Sequence, residues 1–382
     1  MSRSKFMATI IMALFFGLVA VLISSHRTLV AARAAGLGPS QFYSQHNIVS
    51  DIPGLADHTD PNLVNAWGLD SGPTSPWWIS DTETGKTTLY NIGTGATSFF
   101  TVPGVGGDQG SPTGLVFNGG SGFVVNNGVG SSAARFIFSG EDGTISAFRG
   151  NPIVTVVPNA NAPAHGAIYK GLAIDSRMAG QHLYATDFHN GKVDVFDTSF
   201  HLVNLSGNFT DPNLPAGFAP FGIQTIGNTL YVTYALQDED AEDDVAGPGN
   251  GFVDAYDLNG NLIQRVASTG ELNSPWGLAL APADFGRFSG DLLVGNFGDG
   301  RIHAFDPTTL TPDGEFEARG LLHSAAGRPI QIEGLWSLQF GHGTTAVGAN
   351  GLTTTLFFTA GPFEEEHGLF GSIVLTEPPG RQ

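Results

Sequence analysis

The chain has 382 residues, of which 35 are Asp or Glu and 16 are Lys or Arg, and its formal net charge is -19. An acidic surface repels the phosphates of nucleic acids and anionic lipid headgroups, which excludes both as favoured partners. The sequence contains no cysteine, and this rules out disulfides, thiolate metal sites and cysteine nucleophiles. A hydrophobic fraction of 41% is enough for a folded core.

The N-terminal segment has the features of an export signal. Arg3 and Lys5 precede an apolar run from Phe6 to Ile23, and Ala32-Arg33-Ala34 fits a cleavage site between small residues. The run is also long enough to remain as a membrane anchor if it is not cleaved. We therefore predict a secreted or periplasmic protein in which the membrane is contacted only through this segment. The predicted parts are a signal peptide or anchor at 1–34, a linker at 35–42, a globular domain at 43–376 and a tail at 377–382.

Six short apolar motifs centred on glycine recur roughly fifty residues apart. Their glycines are Gly68, Gly114, Gly171, Gly222, Gly277 and Gly334. Each motif is followed by β-rich segments and Gly-containing hairpin turns, with second strands expected at 77–80, 122–125, 182–186, 229–233, 291–295 and 355–359. This period predicts an all-β fold, a six-bladed β-propeller of four-stranded blades, better than it predicts a β-sandwich or a β-helix.

The sixth repeat is one strand short before the chain ends. The segment Gln45 to Ile52 precedes the first glycine motif and belongs to no other blade. We therefore predict that this N-terminal strand completes the last blade and closes the ring. Such closure leaves no sheet edge at the junction between the two ends.

Several segments resemble known propellers. The hairpin Tyr184 to Asp197, which ends in Val193-Asp194-Val195-Phe196-Asp197, resembles the NHL repeat. The segments 211–221, 243–254 and 273–280 resemble an uncharacterised family of exported bacterial propellers, and this resemblance extends from about residue 43 to 375. It implies a propeller fold and export, but it implies no reaction.

One face of the predicted ring should gather polar side chains. The loops that enter the inner strands and the turns between second and third strands share that face. Asparagine and carboxylate oxygens from separate blades suit Ca²⁺, which takes six to eight oxygen ligands. The candidate metal ligands are Asn65, Asp187, Asn273, Asn296 and Glu333. The alternative is that the Asp and Asn residues cap turns.

Asp187 and His189 are the candidates for catalysis. They are two positions apart, which places both side chains on one side of an extended strand end. A carboxylate beside an imidazole is able to act as a general base or as a metal ligand with its supporting hydrogen bond. The alternative is that Asp187 caps the turn at Asn190-Gly191 and His189 is exposed there.

An acidic run from Asp238 to Asp244 is the strongest compositional feature. Six carboxylates in seven residues repel one another, and the run is either a solvated loop or a cation site. It does not match the EF-hand pattern. Its candidate ligands are Asp238, Asp240, Asp243 and Asp244. A second acidic turn, Glu364 to His367, is expected at the same rim.

No local signature of a serine hydrolase or a zinc protease occurs in the sequence. The favoured function is therefore that of an exported binding or scaffold protein, whose partner at the channel face is an extracytoplasmic protein, a glycan or a small molecule. The alternative is a hydrolase or lactonase that depends on a divalent metal such as Ca²⁺, similar in plan to six-bladed gluconolactonases and paraoxonases. This resemblance implies that the five candidate ligands hold the ion and that the ion activates a carbonyl or a water.

Overall fold

The computed structural model describes residues 42–158, 166–175, 181–343 and 349–376. The predicted export segment and the tail at 377–382 lie outside these ranges. Within them, no helix is long and apolar enough to cross a membrane. Regular structure is almost entirely β, with two short 3₁₀ turns at Val105–Gly107 and Gly286–Phe288.

The strands form six sheets in chain order, which are the six blades. The chain begins with β1 (Phe42–Ser50) and β2 (His58–Thr59). Blade 1 contains β3 (Ala66–Asp70), β4 (Trp77–Asp81), β5 (Lys86–Tyr90) and β6 (Thr97–Thr101). In blade 2, β7 (Pro112–Phe117) is followed by an inserted hairpin of β8 (Val124–Asn126) and β9 (Ser131–Ala133), and then by β10 (Phe136–Gly140), β11 (Ile145–Phe148) and β12 (Val154–Val157).

The second half of the ring repeats this plan. Blade 3 contains β13 (Tyr169–Ile174), β14 (Leu183–Asp187) and β15 (Lys192–Phe196), and its outer position is reduced to a bridge between Phe196 and Leu202. Blade 4 contains β16 (Phe218–Ile226), β17 (Thr229–Leu236), β18 (Phe252–Asp257) and β19 (Leu262–Ser268). Blade 5 contains β20 (Pro275–Leu280), β21 (Leu292–Asn296), β22 (Ile302–Leu310) and β23 (Phe316–Leu321). Blade 6 contains β24 (Leu335–Phe340), β25 (Leu356–Ala360) and β26 (Leu369–Thr376).

The ring closes through the N-terminal strand, as the sequence predicts. Strand β1 pairs antiparallel with β26, and the sheet of blade 6 has the order β2-β1-β26-β25-β24. The closing strand spans Phe42–Ser50 rather than Gln45 to Ile52, and it bulges between Asn47 and Val49. The buried Tyr43 also ties it to blade 5, because its hydroxyl donates to the Phe285 carbonyl oxygen at 2.9 Å.

The repeated glycines allow the inner strands of neighbouring blades to touch. A Cβ added at Gly222 would lie 2.2 Å from the Trp276 carbonyl oxygen, and one at Gly277 would lie 2.4 Å from that of Trp336. A side chain at either place would collide with backbone. Since Gly277 faces Trp336 and Leu338, the sixth repeat is centred on Ser337, and the prediction that Gly334 is its centre is wrong by three residues.

The second strand of blade 2 also differs from the prediction. It is β10, whereas the predicted segment at 122–125 belongs to the inserted hairpin. Both Phe123 and Val125 are buried in the hairpin, and its apolar pattern is therefore the same as that of a blade strand. The other five second strands lie where the sequence places them, to within a few residues.

Branched apolar side chains fill the middle of the axis. One comes from the inner strand of each blade, and they are Leu69, Leu115, Leu172, Ile223, Leu278 and Leu338. The space left at this level is about 20 Å³, close to the room that one water needs. The central channel is therefore constricted here, and the polar groups lie above and below this apolar ring.

Candidate functional site

The inner strands begin, and the second strands end, at one face of the ring, which we call the mouth. Aromatic side chains cover the axis just inside it. Buried members of this cluster are Trp67, Phe188, Phe221, Trp276 and Trp336, with the half-buried Phe297 packed against them. Trp67 stacks on Trp336 with ring centroids 3.6 Å apart, and Phe297 stacks on Trp336 at 4.0 Å. These rings form the floor of the mouth.

Every indole N–H in the floor has a partner. Trp67 and Trp336 both donate to Asn65 Oδ1, at 2.8 and 3.1 Å, and Trp276 donates to the Lys170 carbonyl oxygen at 3.1 Å. Buried indoles require such partners. Asn65 is therefore fixed by two blades at once, and its side-chain NH₂ is directed at a third group, the carboxylate of Glu365.

Lys170 is the buried cation of the mouth. Its side chain is 2% exposed, and Nζ lies 2.5 Å from Glu141 Oε1, 2.9 Å from Asp243 Oδ1 and 5.3 Å above the Trp67 ring. Burial lowers its pKa, but the two carboxylates outweigh burial and raise the pKa of Lys170 to about 12. The ammonium is therefore charged at every physiological pH.

Two further carboxyl groups lie close to this ammonium. Asn65 Nδ2 donates to Glu365 Oε2 at 2.7 Å. Burial raises the pKa of Glu365 to about 7, against the lowering effects of Asn65 and Lys170. Burial likewise raises the pKa of Asp244 to about 6, although Ser274 and Lys170 act in the opposite direction. Both groups change charge near neutral pH.

Each of the six blades contributes at least one side chain to this group of charged and polar residues. Asn65 and Ser274 precede the inner strands of blades 1 and 5, Lys170 lies in β13, and the acidic side chains come from loops of blades 2, 4 and 6. We call the set the mouth cluster, and its members are Asn65, Glu141, Lys170, Asp243, Asp244, Ser274 and Glu365. Four carboxyl groups surround one ammonium, and the cluster is acidic whenever Asp244 and Glu365 are ionised.

Unusual backbone conformations are concentrated around the mouth. Asn65 and Ser274 have φ values of 50° and 46°. The three consecutive residues Phe363, Glu364 and Glu365 have φ values of 58°, 55° and 68°. Left-handed conformations are costly for residues with side chains, and they persist where the surrounding structure imposes them, commonly at functional sites. Here they turn Glu365 toward Asn65.

Three oxygen atoms near the mouth have no hydrogen-bond partner among the residues that the structure describes. They are Ser274 Oγ, Asp244 Oδ2 and Asn296 Oδ1, and all three are shielded from solvent. A buried acceptor without a donor is expensive, and native structures contain few of them. Ser274 and Asp244 are neighbours, since the serine hydroxyl lies close enough to lower the pKa of the carboxyl group, and a donor or cation that reaches one of them meets both.

Asp187 and His189 engage different neighbours. Asp187 is fully buried and accepts from the Asn190 side chain at 2.8 Å, with Lys192 Nζ 3.4 Å away. Burial raises its pKa. These are the contacts of a turn cap. His189 is half-buried rather than exposed, and its Nδ1 lies 3.1 Å from the Ala241 carbonyl oxygen in the acidic loop.

The other predicted metal ligands are spread over the mouth. Asn273 Oδ1 accepts from the Gly247 N–H at 2.7 Å, and Asn296 Nδ2 donates to the Glu271 carbonyl oxygen at 2.8 Å. Glu333 is exposed and accepts from the Phe363 N–H at 3.1 Å. The described ranges contain no group of three or more His, Asp or Glu side chains placed to hold a metal ion.

The acidic run folds as a closed loop after β17. The Asp238 N–H donates to the Asp243 carbonyl oxygen at 2.9 Å, and Asp238 Oδ1 accepts from the Glu242 N–H at 2.9 Å. Asp240 is exposed, whereas Asp243 and Asp244 reach the mouth cluster. The loop is thus partly solvated and partly a wall of the mouth.

Sequence reasoning missed Glu141 and the role of Lys170. Glu141 lies in the turn between β10 and β11, which the wrong second strand of blade 2 concealed. The Glu141-Asp142-Gly143 hairpin signal was available to locate it. Lys170 directly precedes the third motif glycine, Gly171, but its partner Asp243 is 73 residues away, and no local pattern reveals that pairing.

No protein-family model matches the chain. An uncharacterized protein of Acanthamoeba polyphaga mimivirus is 32% identical over 335 residues, which cover 85% of this chain and 78% of the relative. A second uncharacterized protein of the same virus is 31% identical over 340 residues, covering 86% and 84%. The chain belongs to the family of these proteins. An uncharacterised family is thereby confirmed, but its members found here are viral, and bacterial origin and export stay predictions.

Solved propellers are similar at a much lower level. Virginiamycin B lyase from Staphylococcus aureus is 14% identical with a TM-score of 0.49, covering 88% of this chain and all of the lyase. Luciferin-regenerating enzyme is 12% identical with a TM-score of 0.49, covering 88% of this chain and 95% of the enzyme. These values carry no information about the activity of this chain.

Proposed function

We propose that the protein is a binding module whose mouth takes up a positively charged group of its ligand. The observation that carries this proposal is the charge of the mouth cluster, four carboxyl groups around the single ammonium of Lys170. Glu141 and Asp243 are paired with that ammonium. Asp244 and Glu365 have no cation of their own within the cluster, and in a partly desolvated site their charge strongly favours a cationic guest.

An organic cation fits this environment best. Carboxylates form charge-assisted hydrogen bonds with ammonium and guanidinium groups, and the mouth cluster contains four carboxyl groups from separate loops. Lys170 is an example of an ammonium group held in this environment, because its Nζ lies between two carboxylates above Trp67. Asp244 Oδ2, with the neighbouring Ser274 hydroxyl, offers an acceptor for the N–H groups of such a guest. Phe363, which is 54% exposed at the rim, offers apolar surface to an alkyl stem.

The ligand is therefore expected to present an alkylammonium group, as a lysine side chain of an extracytoplasmic protein, an amino sugar of a glycan or a small polyamine does. Titration of the full chain with spermidine and with Nα-acetyl-lysine amide by calorimetry at pH 8 tests this directly. We expect saturable binding, and we expect Glu365→Gln and Asp244→Asn each to weaken it by about tenfold or more.

Matched controls lie in the same loops. Glu364→Gln and Asp240→Asn remove exposed carboxylates of the same two segments and should leave the affinity almost unchanged. If the control variants weaken binding as much as the mouth variants, the cations are attracted by the acidic surface in general and the proposal fails. Absence of saturable binding to either probe would also refute it.

The second candidate is a hydrolase or lactonase that depends on a divalent metal such as Ca²⁺. The unpartnered oxygens of Asn296, Asp244 and Ser274 favour it, because hard cations bind oxygen. The five ligands predicted from the sequence do not fit a ready cation site, since Asn65 Oδ1 already accepts two indole N–H groups and Glu333 is exposed. Binding of a metal by that set requires these hydrogen bonds to break.

Metal analysis of chelator-free protein, combined with thermal melts with and without Ca²⁺, separates the two candidates. The metal-dependent enzyme requires bound metal, a melting temperature raised by several degrees with Ca²⁺, and ester or lactone hydrolysis lost in Glu333→Gln. The binding module requires none of these, and its spermidine affinity should survive treatment with EDTA.

A further inference from the structure

A cleft of about 330 Å³ opens on the outside of the ring where its two ends join. Its walls come from four separate parts of the chain. They are strand β1 with its partner β26, the residues Asp57 and His58 at β2, the segment 351–357 of blade 6, and the connection from β5 to β6 in blade 1. Its volume lies in the range of small-molecule sites. We call it the seam cleft, and it is separate from the mouth and independent of the function proposed there.

The floor of the seam cleft is apolar. Val49 and Phe357 are each 2% exposed, and the ring of Tyr90 is buried beside them. The Tyr90 hydroxyl is occupied, because it donates to Asp60 Oδ2 at 3.0 Å. Side walls are added by half-buried or exposed aliphatic residues, which are Ile48, Ile92, Leu352 and Val374. An aliphatic or aromatic body would therefore bury apolar surface on all sides.

The rim of the cleft offers hydrogen-bond donors. His46 Nε2 lies 2.9 Å from Asp57 Oδ2, and the one carboxylate among the lining residues is therefore already engaged. The His58 ring has no hydrogen-bond partner among the residues described, although its backbone pairs with β1, and the Asn91 side chain uses only its oxygen, which accepts from the Thr94 N–H at 3.0 Å. The lining contains two histidines, one aspartate and no lysine, arginine or glutamate.

We propose that the seam cleft binds a small monocarboxylate with an apolar body, whose head group is held by His58 and the side-chain amide of Asn91. The hydrogen bonds of the rim support this choice, because Asp57 is already engaged by His46 and the unused donors are the His58 ring and the side-chain amide of Asn91. In a chain with a net charge of -19, such a site without a free carboxylate is suited to an anion. The ligand also bridges β1 and blade 1 and thereby holds the ring closed.

Octanoate is the probe for this proposal, with 1-octanol and octylamine as head-group controls of equal chain length. Methyl-resolved NMR of the full chain during titration should show saturable shifts at Ile48, Val49, Ile92, Leu352 and Val374. His58→Ala should weaken octanoate about tenfold and leave octanol unchanged, because only the head-group contact is lost. Ala96→Trp places a large ring in the exposed part of the cleft and should abolish the binding of both octanoate and octanol.

The matched control is His201→Ala, which removes an exposed histidine of blade 3 whose side chain is 78% exposed. It should leave octanoate affinity unchanged. Circular dichroism and melting temperature check that every variant is folded. Octanol or octylamine binding as tightly as octanoate would overturn the proposal, and so would unaffected octanoate binding in His58→Ala or shifts that arise outside the cleft.

Discussion

The two ends of the propeller axis bury carboxyl groups in different ways. At the far end, Asp70 accepts from the backbone N–H of Phe117 at 2.6 Å and of Ser71 at 2.7 Å, and from the Gln339 side chain at 3.3 Å. At the mouth, four carboxyl groups share one ammonium, and some oxygens have no donor. The far end surrounds its carboxyl group with donors of the fold, whereas the mouth leaves some of its oxygens without a donor among the described residues. We therefore expect substitutions at the far end to change mainly stability, and substitutions at the mouth to change mainly the proposed binding.

The largest expected effect tests the charge balance of the mouth. Lys170→Met leaves Glu141 and Asp243 without their cation, and removing one partner of a buried pair is strongly destabilising. Because the Glu141 side chain is 30% exposed and that of Asp243 is 75% exposed, water replaces part of the lost contact, and we expect a loss no larger than the lower end of that range, about 3 kcal/mol in the free energy of unfolding at pH 8. Urea denaturation measures it. Lys86→Met, whose ammonium contacts the neutral Asn62, is the control and should lose about 1 kcal/mol or less.

A smaller loss of stability is expected for a variant at the far end of the axis, opposite the mouth. Asp70→Ala leaves the N–H groups of Ser71 and Phe117 without an acceptor, and this should cost about 2 kcal/mol at pH 6. The melting temperature should fall, while spermidine binding at the mouth stays the same. Glu365→Ala should show the reverse pattern, with weaker binding and little change in stability. If both variants behave alike, the distinction between the two ends is wrong.

The pH dependence of stability distinguishes the ends further. Burial raises the pKa of Asp70 and Glu365 to about 7 and that of Asp244 to about 6. A carboxyl group with a raised pKa in the folded state stabilises the fold fully below its unfolded pKa, near 4, and loses this contribution as the pH rises through the folded value. The free energy of unfolding should therefore fall from pH 5 to pH 8 by at least about 2 kcal/mol, since the shift of Asp70 alone accounts for that much.

Glu365→Gln should remove the share of Glu365 in that fall and leave the shares of Asp70 and Asp244. Urea denaturation at several pH values, compared between this variant and the unmodified chain, measures the difference. A slope that is identical in the two proteins would mean that Glu365 does not titrate in this range.

The smallest expected effect concerns the pH dependence of ligand affinity. A cation in the mouth favours ionised Glu365 and Asp244, and spermidine should therefore bind about tenfold more tightly at pH 8 than at pH 5.5, with release of protons at intermediate pH. Calorimetry in two buffers of different ionisation enthalpy detects the released protons. Glu365→Gln should flatten this dependence, whereas Glu364→Gln should not.

The sequence predicts the architecture well because the architecture is repetitive. The glycine motif that recurs six times in the sequence indicates close contacts between inner strands. The last repeat lacks one strand, and the N-terminal segment, which belongs to no other blade, supplies it. The prediction fails where repetition is broken. In blade 2 an inserted hairpin buries Val125 as a blade strand would, and in blade 6 Ser337 occupies the place of the glycine.

The site is less predictable for a physical reason. Spacing along the chain indicates that Asn65, Asp243 and Asp244 approach the mouth. It cannot show which of their oxygens already accept hydrogen bonds from the protein. The sequence predicts Asn65 as a metal ligand. In the structure, its Oδ1 accepts hydrogen bonds from the indole N–H groups of two tryptophans. Glu365 is turned inward by three consecutive left-handed residues, which no composition rule anticipates.

The pairing of β1 with β26 has a consequence for biosynthesis. The ribosome makes Phe42–Ser50 long before Leu369–Thr376, and blade 6 is therefore unable to form until translation is nearly complete. Until then β1 presents unsatisfied N–H and C=O groups, which are prone to pair with another chain. Nascent or prematurely terminated chains that lack β26 should accordingly depend on chaperones or aggregate, whereas the finished polypeptide removes this hazard by its own last strand.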